Sequence, residues 1–167
     1  MDQIGPCKHE RDIGVDLNRQ FAVDFGKMDE SKSLHEDSDW GGNDQQSDDL
    51  CFNNYAGLKA FSEPESVAFS QILTQHKNEL DFVINAHSNG NAFIYPFNGV
   101  EHNDIEKRRP GILSVFKDIV SHGQLPEGTV TGTSKQVMGI TIGGDQDDWT
   151  VDTLGIPSVT SEIGRVD

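Results

Sequence analysis

Basic residues are scarce: 13 Lys and Arg stand against 28 Asp and Glu in 167 residues, for a formal net charge of −15. No basic cluster is denser than Lys107-Arg108-Arg109. Nucleic acid and anionic membrane surfaces would be repelled by this field, so neither is expected as a partner. Cationic peptides would be attracted, or the acidity serves solubility alone. Long apolar runs are also missing, none nearing the roughly 20 residues that cross a bilayer. Residues 1–6 have neither the basic n-region nor the hydrophobic h-region of a signal peptide. The chain is therefore expected to be soluble, with any targeting signal outside it. Cysteine is limited to Cys7 and Cys51, which flank a polar, acidic segment. Composition leaves them as free thiols or a single disulfide.

What is present suffices for one domain, with 34% hydrophobic residues and a length in the usual single-domain range. The stretch at about 28–50 is rich in Asp, Ser, Asn, Gln and Gly. It reads as a long acidic loop, because it buries too little apolar area to offset its ordering entropy. Order returns at Ser62-Glu63-Pro64-Glu65: Pro64 suits a first helical turn, Ser62 is a capping candidate, and the acids favour the positive end of the dipole. Val67, Phe69, Ile72, Leu73 and Leu80 then recur at helical spacing and predict a helix over 64–79. The β-branched run at 82–87, ended by Ser88-Asn89-Gly90-Asn91, reads as a buried strand emptying into a loop. A second short strand covers 93–95, stopped by Pro96. The stripe Ile112, Leu113, Val115, Phe116, Ile119 and Val120 makes a helix after Pro110, closed at His122-Gly123. Strands are expected over 137–142 and 156–163, separated by an acidic loop at 143–149. Strands alternating with helices point to an α/β domain with a parallel or mixed sheet.

Four segments, in chain order, carry a resemblance. They are Gly14-Val15-Asp16-Leu17-Asn18-Arg19-Gln20-Phe21; Tyr55-Ala56-Gly57 with Ala60-Phe61-Ser62-Glu63-Pro64-Glu65; Ala86-His87-Ser88 followed by Tyr95-Pro96-Phe97; and Asp148-Trp149 with Gly155-Ile156-Pro157-Ser158-Val159-Thr160-Ser161-Glu162. Together they resemble the zinc carboxypeptidases of the carboxypeptidase A and B type, over residues 7–162. The resemblance implies an incomplete α/β domain over 1–167, with a mixed, mostly parallel twisted sheet and helices on both faces. It implies zinc-dependent removal of C-terminal residues from peptides and proteins by a monomer.

The residues can be weighed beside that resemblance. Such an enzyme must hold a free α-carboxylate, and a planar, always-charged guanidinium does this bidentately. Arg19 with Asn18 resembles the family's carboxylate clamp; a plain surface arginine is the alternative. His87 resembles the third zinc ligand, at a strand end where open α/β sheets bind ligands; a satisfied structural histidine is the alternative. Glu162 lies in an apolar strand where an idle acid would be costly. It resembles the general base that takes a proton from the attacking water and returns it to the leaving amine; a solvent-facing strand end is the alternative. Asp147 resembles the aspartate that pairs with a C-terminal Lys or Arg in the basic-specific branch, although the loop has an extra residue after Gly143-Gly144; an exposed loop acid is the alternative. Cys7 and Cys51 fall where the family has a disulfide, which implies an oxidising, secreted or lumenal compartment.

Several features depart from the family pattern. Its first two zinc ligands come from an HxxE motif upstream of the clamp, and the thirteen residues before Gly14 hold His9-Glu10 but no HxxE. The HxxE at His76-Lys77-Asn78-Glu79 falls at a predicted helix end and reads as solvent-facing. The family's mobile substrate-binding tyrosine would lie near Gly139 or Ile140, whereas the two tyrosines are Tyr55 and Tyr95. The arginine that polarises the scissile carbonyl and the final helix have no counterpart. The expectation is weak or absent Zn2+ binding by this chain and no activity of its own. Three readings follow: a zinc carboxypeptidase, here incomplete; an inactive module that binds peptide C-termini; or an inactive fragment.

Overall fold

The computed structural model describes residues 14–26, 28–29, 55–99 and 105–164. Among them a four-stranded sheet runs in the order β2 (Val83–His87), β6 (Ser158–Glu162), β3 (Ala92–Ile94), β4 (Val130–Gly132). β2 pairs parallel with β6 and β3 parallel with β4, while β3 and β6 are antiparallel. The sheet is thus mixed and mostly parallel, as expected. A two-residue strand β1 (Met28–Asp29) pairs antiparallel with β5 (Thr141–Ile142). The rest of the expected acidic loop at 28–50 lies outside the described residues, as do Cys7 and Cys51.

Side-chain alternation on β6 divides the molecule into two layers. Val159 points to one face and packs with Phe93, Tyr95, Phe97, Val151 and, from α3 (Ile112–His122), which follows the short α2 (Ile105–Arg108), Leu113 and Phe116. Tyr95 and Phe116 stack with ring centroids 5.2 Å apart. Ser158, Thr160 and Glu162 point to the other face, in register with Val83, Asn85 and His87 of β2. There Val83 joins the cluster of Phe21, Leu73 of α1 (Pro64–His76) and Trp149 of α5 (Gln146–Trp149). Phe21, Phe61 and Trp149 meet at centroid distances of 5.5–5.7 Å. Helices therefore cover both faces. No described helix is long and apolar enough to cross a membrane.

Several expectations are corrected locally. The predicted strand over 137–142 is extended only at Thr141–Ile142: Val137 and Met138 end α4 (Ser134–Met138), which begins with a capping box between Thr133 and Gln136. Val137 and Ile140 suggested a strand, but the reciprocal cap satisfies two orphan donors and fixes the helical turn. β4 went unpredicted because three residues give no period. Within the expected acidic loop, Asp145 caps α5 by accepting from the amides of Asp147 and Asp148 at 2.7 and 3.1 Å. The N-cap of α1 is Glu63, not Ser62. The Ser62 hydroxyl instead donates to Gln20 Oε1 at 3.1 Å.

Candidate carboxylate-binding and proton-transfer site

Parallel pairing sets His87 and Glu162 side by side at the carboxyl ends of β2 and β6. Ligand crevices of open α/β sheets lie beyond such ends. His87 Nδ1 is 3.8 Å from Glu162 Oε1. Glu162 is 7% exposed, and among the described residues its Oε2 has no hydrogen-bond partner. Burial raises the Glu162 pKa, while the nearby His87 and Arg19 charges pull it back down. A carboxyl raised by burial in a cleft is suited to taking up and releasing a proton.

The Arg19 charge acts on the Glu162 carboxyl from a separate part of the chain. Arg19 ends a 3-10 turn, Leu17–Arg19, capped by Asp16, whose side chain accepts from the Asn18 amide at 2.9 Å. Three backbone bonds anchor that turn and the residues after it: Asp16 N–H to Tyr55 O at 2.8 Å, Phe21 N–H to Gly144 O at 2.9 Å, and Phe61 N–H to Gln20 O at 2.8 Å. Gly144 has φ +71°, and a Cβ there would lie 2.2 Å from Arg19 O. Only glycine lets the 143–145 backbone pass this close. The guanidinium donates from Nη1 to Asn18 O at 3.0 Å and stands 3.9 Å from Asp16 Oδ2. Its Nε is buried without a partner among the described residues. Gln20 is fully buried, its Nε2 donating to Ala56 O and its Oε1 accepting from the Glu63 amide at 3.1 Å.

Asn18 joins this turn to β2 and α5. Its Oδ1 accepts from Gln146 N–H at 3.3 Å and from Asn85 Nδ2 at 3.4 Å. The sequence reading missed Asn85 and Gln146. A polar residue two positions before His87, and so on the same strand face, was the signal for Asn85.

Asp147 is not an exposed loop acid. It is fully buried, accepting from Ser158 Oγ at 2.5 Å and Thr160 Oγ1 at 2.6 Å. Burial first, and then the neighbouring Asp145, push its pKa well up. Asp148 is also fully buried, and its carboxylate accepts from the Asn98 amide at 2.7 and 2.8 Å and from the Gly99 amide at 2.8 Å. It ties α5 to the turn that follows β3. Burial raises the Asp145 pKa too, opposed by its bonds to the helix amides and by the Arg19 charge.

A catalytic zinc takes three protein donors. No group of three or more His, Cys, Asp or Glu able to hold a metal is assembled among the described residues. His87 offers one imidazole donor, and the described residues do not make a complete zinc site. His76 and Glu79 form an exposed pair at 3.2 Å at the end of α1, with side chains 43% and 73% exposed, as read from the sequence.

A family model described as zinc carboxypeptidase matches residues 3–167. A carboxypeptidase B of Helicoverpa zea is 28% identical over 119 residues, which is 68% of this chain and 27% of that protein. Among solved structures, carboxypeptidase A of Helicoverpa armigera superposes with a TM-score of 0.60 at 23% identity, covering 99% of this chain and 36% of that one. Thrombin activatable fibrinolysis inhibitor superposes with a TM-score of 0.61 at 20% identity, covering 98% of this chain and 36% of that one. The chain thus spans about a quarter of the curated relative and about a third of these two structures. The matched family, the mixed sheet and the neighbouring folds agree, and the chain belongs to the zinc carboxypeptidase family.

Proposed function

We propose that this chain forms the carboxylate-binding and proton-transfer side of a peptidase site that removes C-terminal residues from peptides. The observation carrying this reading is that three groups far apart in sequence act on one another: His87 Nδ1 lies 3.8 Å from Glu162 Oε1, and the Arg19 charge lowers the pKa of the same buried carboxyl. In the reaction proposed, Arg19 and Asn18 bind the α-carboxylate of the last residue. A water oxygen attacks the carbonyl carbon of the last peptide bond and gives its proton to Glu162. The C–N bond then breaks, and the proton passes from Glu162 to the departing amine. Zinc enters this proposal as the cofactor of a complete enzyme, with His87 among its ligands. Secretion or a lumenal location, and a Cys7–Cys51 disulfide, belong to the same proposal, as does a monomeric state.

A preference for C-terminal Lys or Arg is a finer part of the reading, resting on Asp147. Its burial penalises a lone charge there, so the preference requires the incoming cation to supply the counter-charge. A second reading, a binding module without turnover, rests on the Asn18–Arg19 turn alone, which supplies a guanidinium for a carboxylate without any proton transfer. The test is to titrate the chain with peptides differing only in a free or amidated C-terminus, following products by mass spectrometry with zinc added or chelated. Preference for the free acid supports the site, and equal affinity overturns it. Zinc-dependent release of single residues selects the enzyme, and binding without release selects the module.

A further inference from the structure

Building on the proposed carboxylate site, we infer that Gln20 is a positioning residue: its buried amide, seated in a socket formed by residues 56–66, sets where the neighbouring Arg19 guanidinium stands. That guanidinium donates to Asn18 O and has Asp16 as its nearby acid, both within its own turn. The turn therefore carries its arginine as a unit, and the place of the unit is decided by what grips it from outside. Arg19 and Gln20 share a peptide bond, so a displaced Gln20 backbone takes Arg19 with it.

Gln20 is fully buried, and each end of its amide has a backbone partner: Nε2 donates to Ala56 O, and Oε1 accepts from the Glu63 amide at 3.1 Å. A backbone carbonyl only accepts and a backbone N–H only donates, so these two partners admit a single orientation of the amide. The hydroxyls of Ser62 at 3.1 Å and Ser66 at 3.3 Å adjoin the same oxygen, and the Gln20 carbonyl accepts from Phe61 N–H at 2.8 Å. Gly57 keeps the socket open: its φ is +82°, and a Cβ there would lie 2.7 Å from Gln20 Nε2 and 2.6 Å from Ser62 Oγ. The socket gives a purpose to the segment Tyr55-Ala56-Gly57 with Ala60-Phe61-Ser62-Glu63-Pro64-Glu65, which supplies no group to the proposed reaction. Loss of the amide leaves Ala56 O and the Glu63 N–H without these partners, a cost that falls when the turn moves off the start of α1 and admits water. Gln20 therefore acts on carboxylate binding through Arg19 and touches no ligand itself.

The test uses the full chain and a pair of peptides identical except for a free acid or a carboxamide at the C-terminus. Gln20→Met keeps the length and neutrality of the side chain and removes both of its bonds, so no new charge stands beside Arg19. Gly57→Ala leaves Gln20 present and pushes on its amide, since the added methyl meets the ends of the Gln20 and Ser62 side chains first. Thr133→Ala, whose bonds lie within the α4 cap, is the control for lost stability alone. The expected result is a fall in the acid-to-amide affinity ratio of about tenfold in Gln20→Met, the scale of one hydrogen bond to a charged group. The ratio falls in the same direction in Gly57→Ala and keeps its wild-type value in Thr133→Ala, while the melting temperature drops in all three. A merely structural Gln20 would lower the melting temperature and leave the ratio alone. A wild-type ratio retained in full by folded Gln20→Met therefore overturns the inference and leaves the carboxylate site standing. Should Gln20→Met fail to fold, a full ratio in Gly57→Ala has the same consequence. No preference for the acid in the wild type overturns both.

Discussion

At the scale of single residues, the proposed function gives Arg19 and Glu162 two separate tasks. Arg19 carries a fixed positive charge in a fork whose geometry matches a carboxylate, and a lysine cannot reproduce two parallel N–H donors. Arg19→Lys should weaken binding of free-acid peptides by about tenfold and Arg19→Ala by more, the range for hydrogen bonds to charged groups. Calorimetric titration of each variant checks this, and unchanged affinity in Arg19→Ala would remove the clamp. Glu162→Gln keeps the size of the side chain and removes its proton exchange. Peptide affinity should stay within a few-fold of wild type, while any zinc-supported release of residues falls by at least about 100-fold. These two residues, with Asn18 and His87, could be named as candidates because charged or metal-binding side chains stood in recognisable local contexts. Asn85 and Gln146 were not, because their part is to hold Asn18, and that contact spans 128 positions in the case of Gln146. Asp147 was expected in a loop, and its place in α5 and its burial were not legible, since they depend on the Asp145 cap and on β6 closing over it.

Among the elements, the site depends on how closely separate segments approach. The 3-10 turn carrying Asn18 and Arg19 lies against Gly144, whose backbone exchanges hydrogen bonds with Phe21 and Val23 at 2.9 Å each. Gly144→Ala meets both an unfavourable φ and a clash with Arg19 O. It should lower stability by more than about 1 kcal/mol and weaken free-acid binding, as read by thermal melting and titration. At α4, Thr133 accepts from the Gln136 amide at 3.4 Å while Gln136 Oε1 accepts from the Thr133 amide at 3.0 Å. Thr133→Ala should cost about 1 kcal/mol, the usual value of an N-cap, in chemical denaturation. The long helices and the strands β2 and β6 could be read from periodicity and breakers alone. The short pieces, β4, α4 and α5, could not, because three to five residues hold less than one or two periods and their form is set by caps and pairing.

Across the whole molecule, acidity shapes both stability and partners. The formal charge of −15 makes the compact state repel itself at neutral pH. Asp145, Asp147, Asp148 and Glu162 all have pKa values raised, burial being the largest cause in each. A carboxyl whose folded pKa exceeds its unfolded one binds protons more tightly when folded. Its contribution is present below the unfolded value of about 4 and is lost as pH rises through the raised folded value. Both effects have the same sign, so the melting temperature should be higher at pH of about 5 than at about 8. A melting temperature that falls steadily on acidification across that range would contradict this account of the buried acids. The central claim concerns space: Asn18, Arg19, Asn85, Gln146 and Glu162 respond to one ligand group. The most direct measurement is a titration of isotope-labelled chain with a short peptide ending in a free carboxylate, followed by nuclear magnetic resonance. The account predicts that the resonances of these five residues move together on one binding curve and stay still with the amidated peptide. Shifts confined to other surfaces, or equal shifts with the amide, would contradict it.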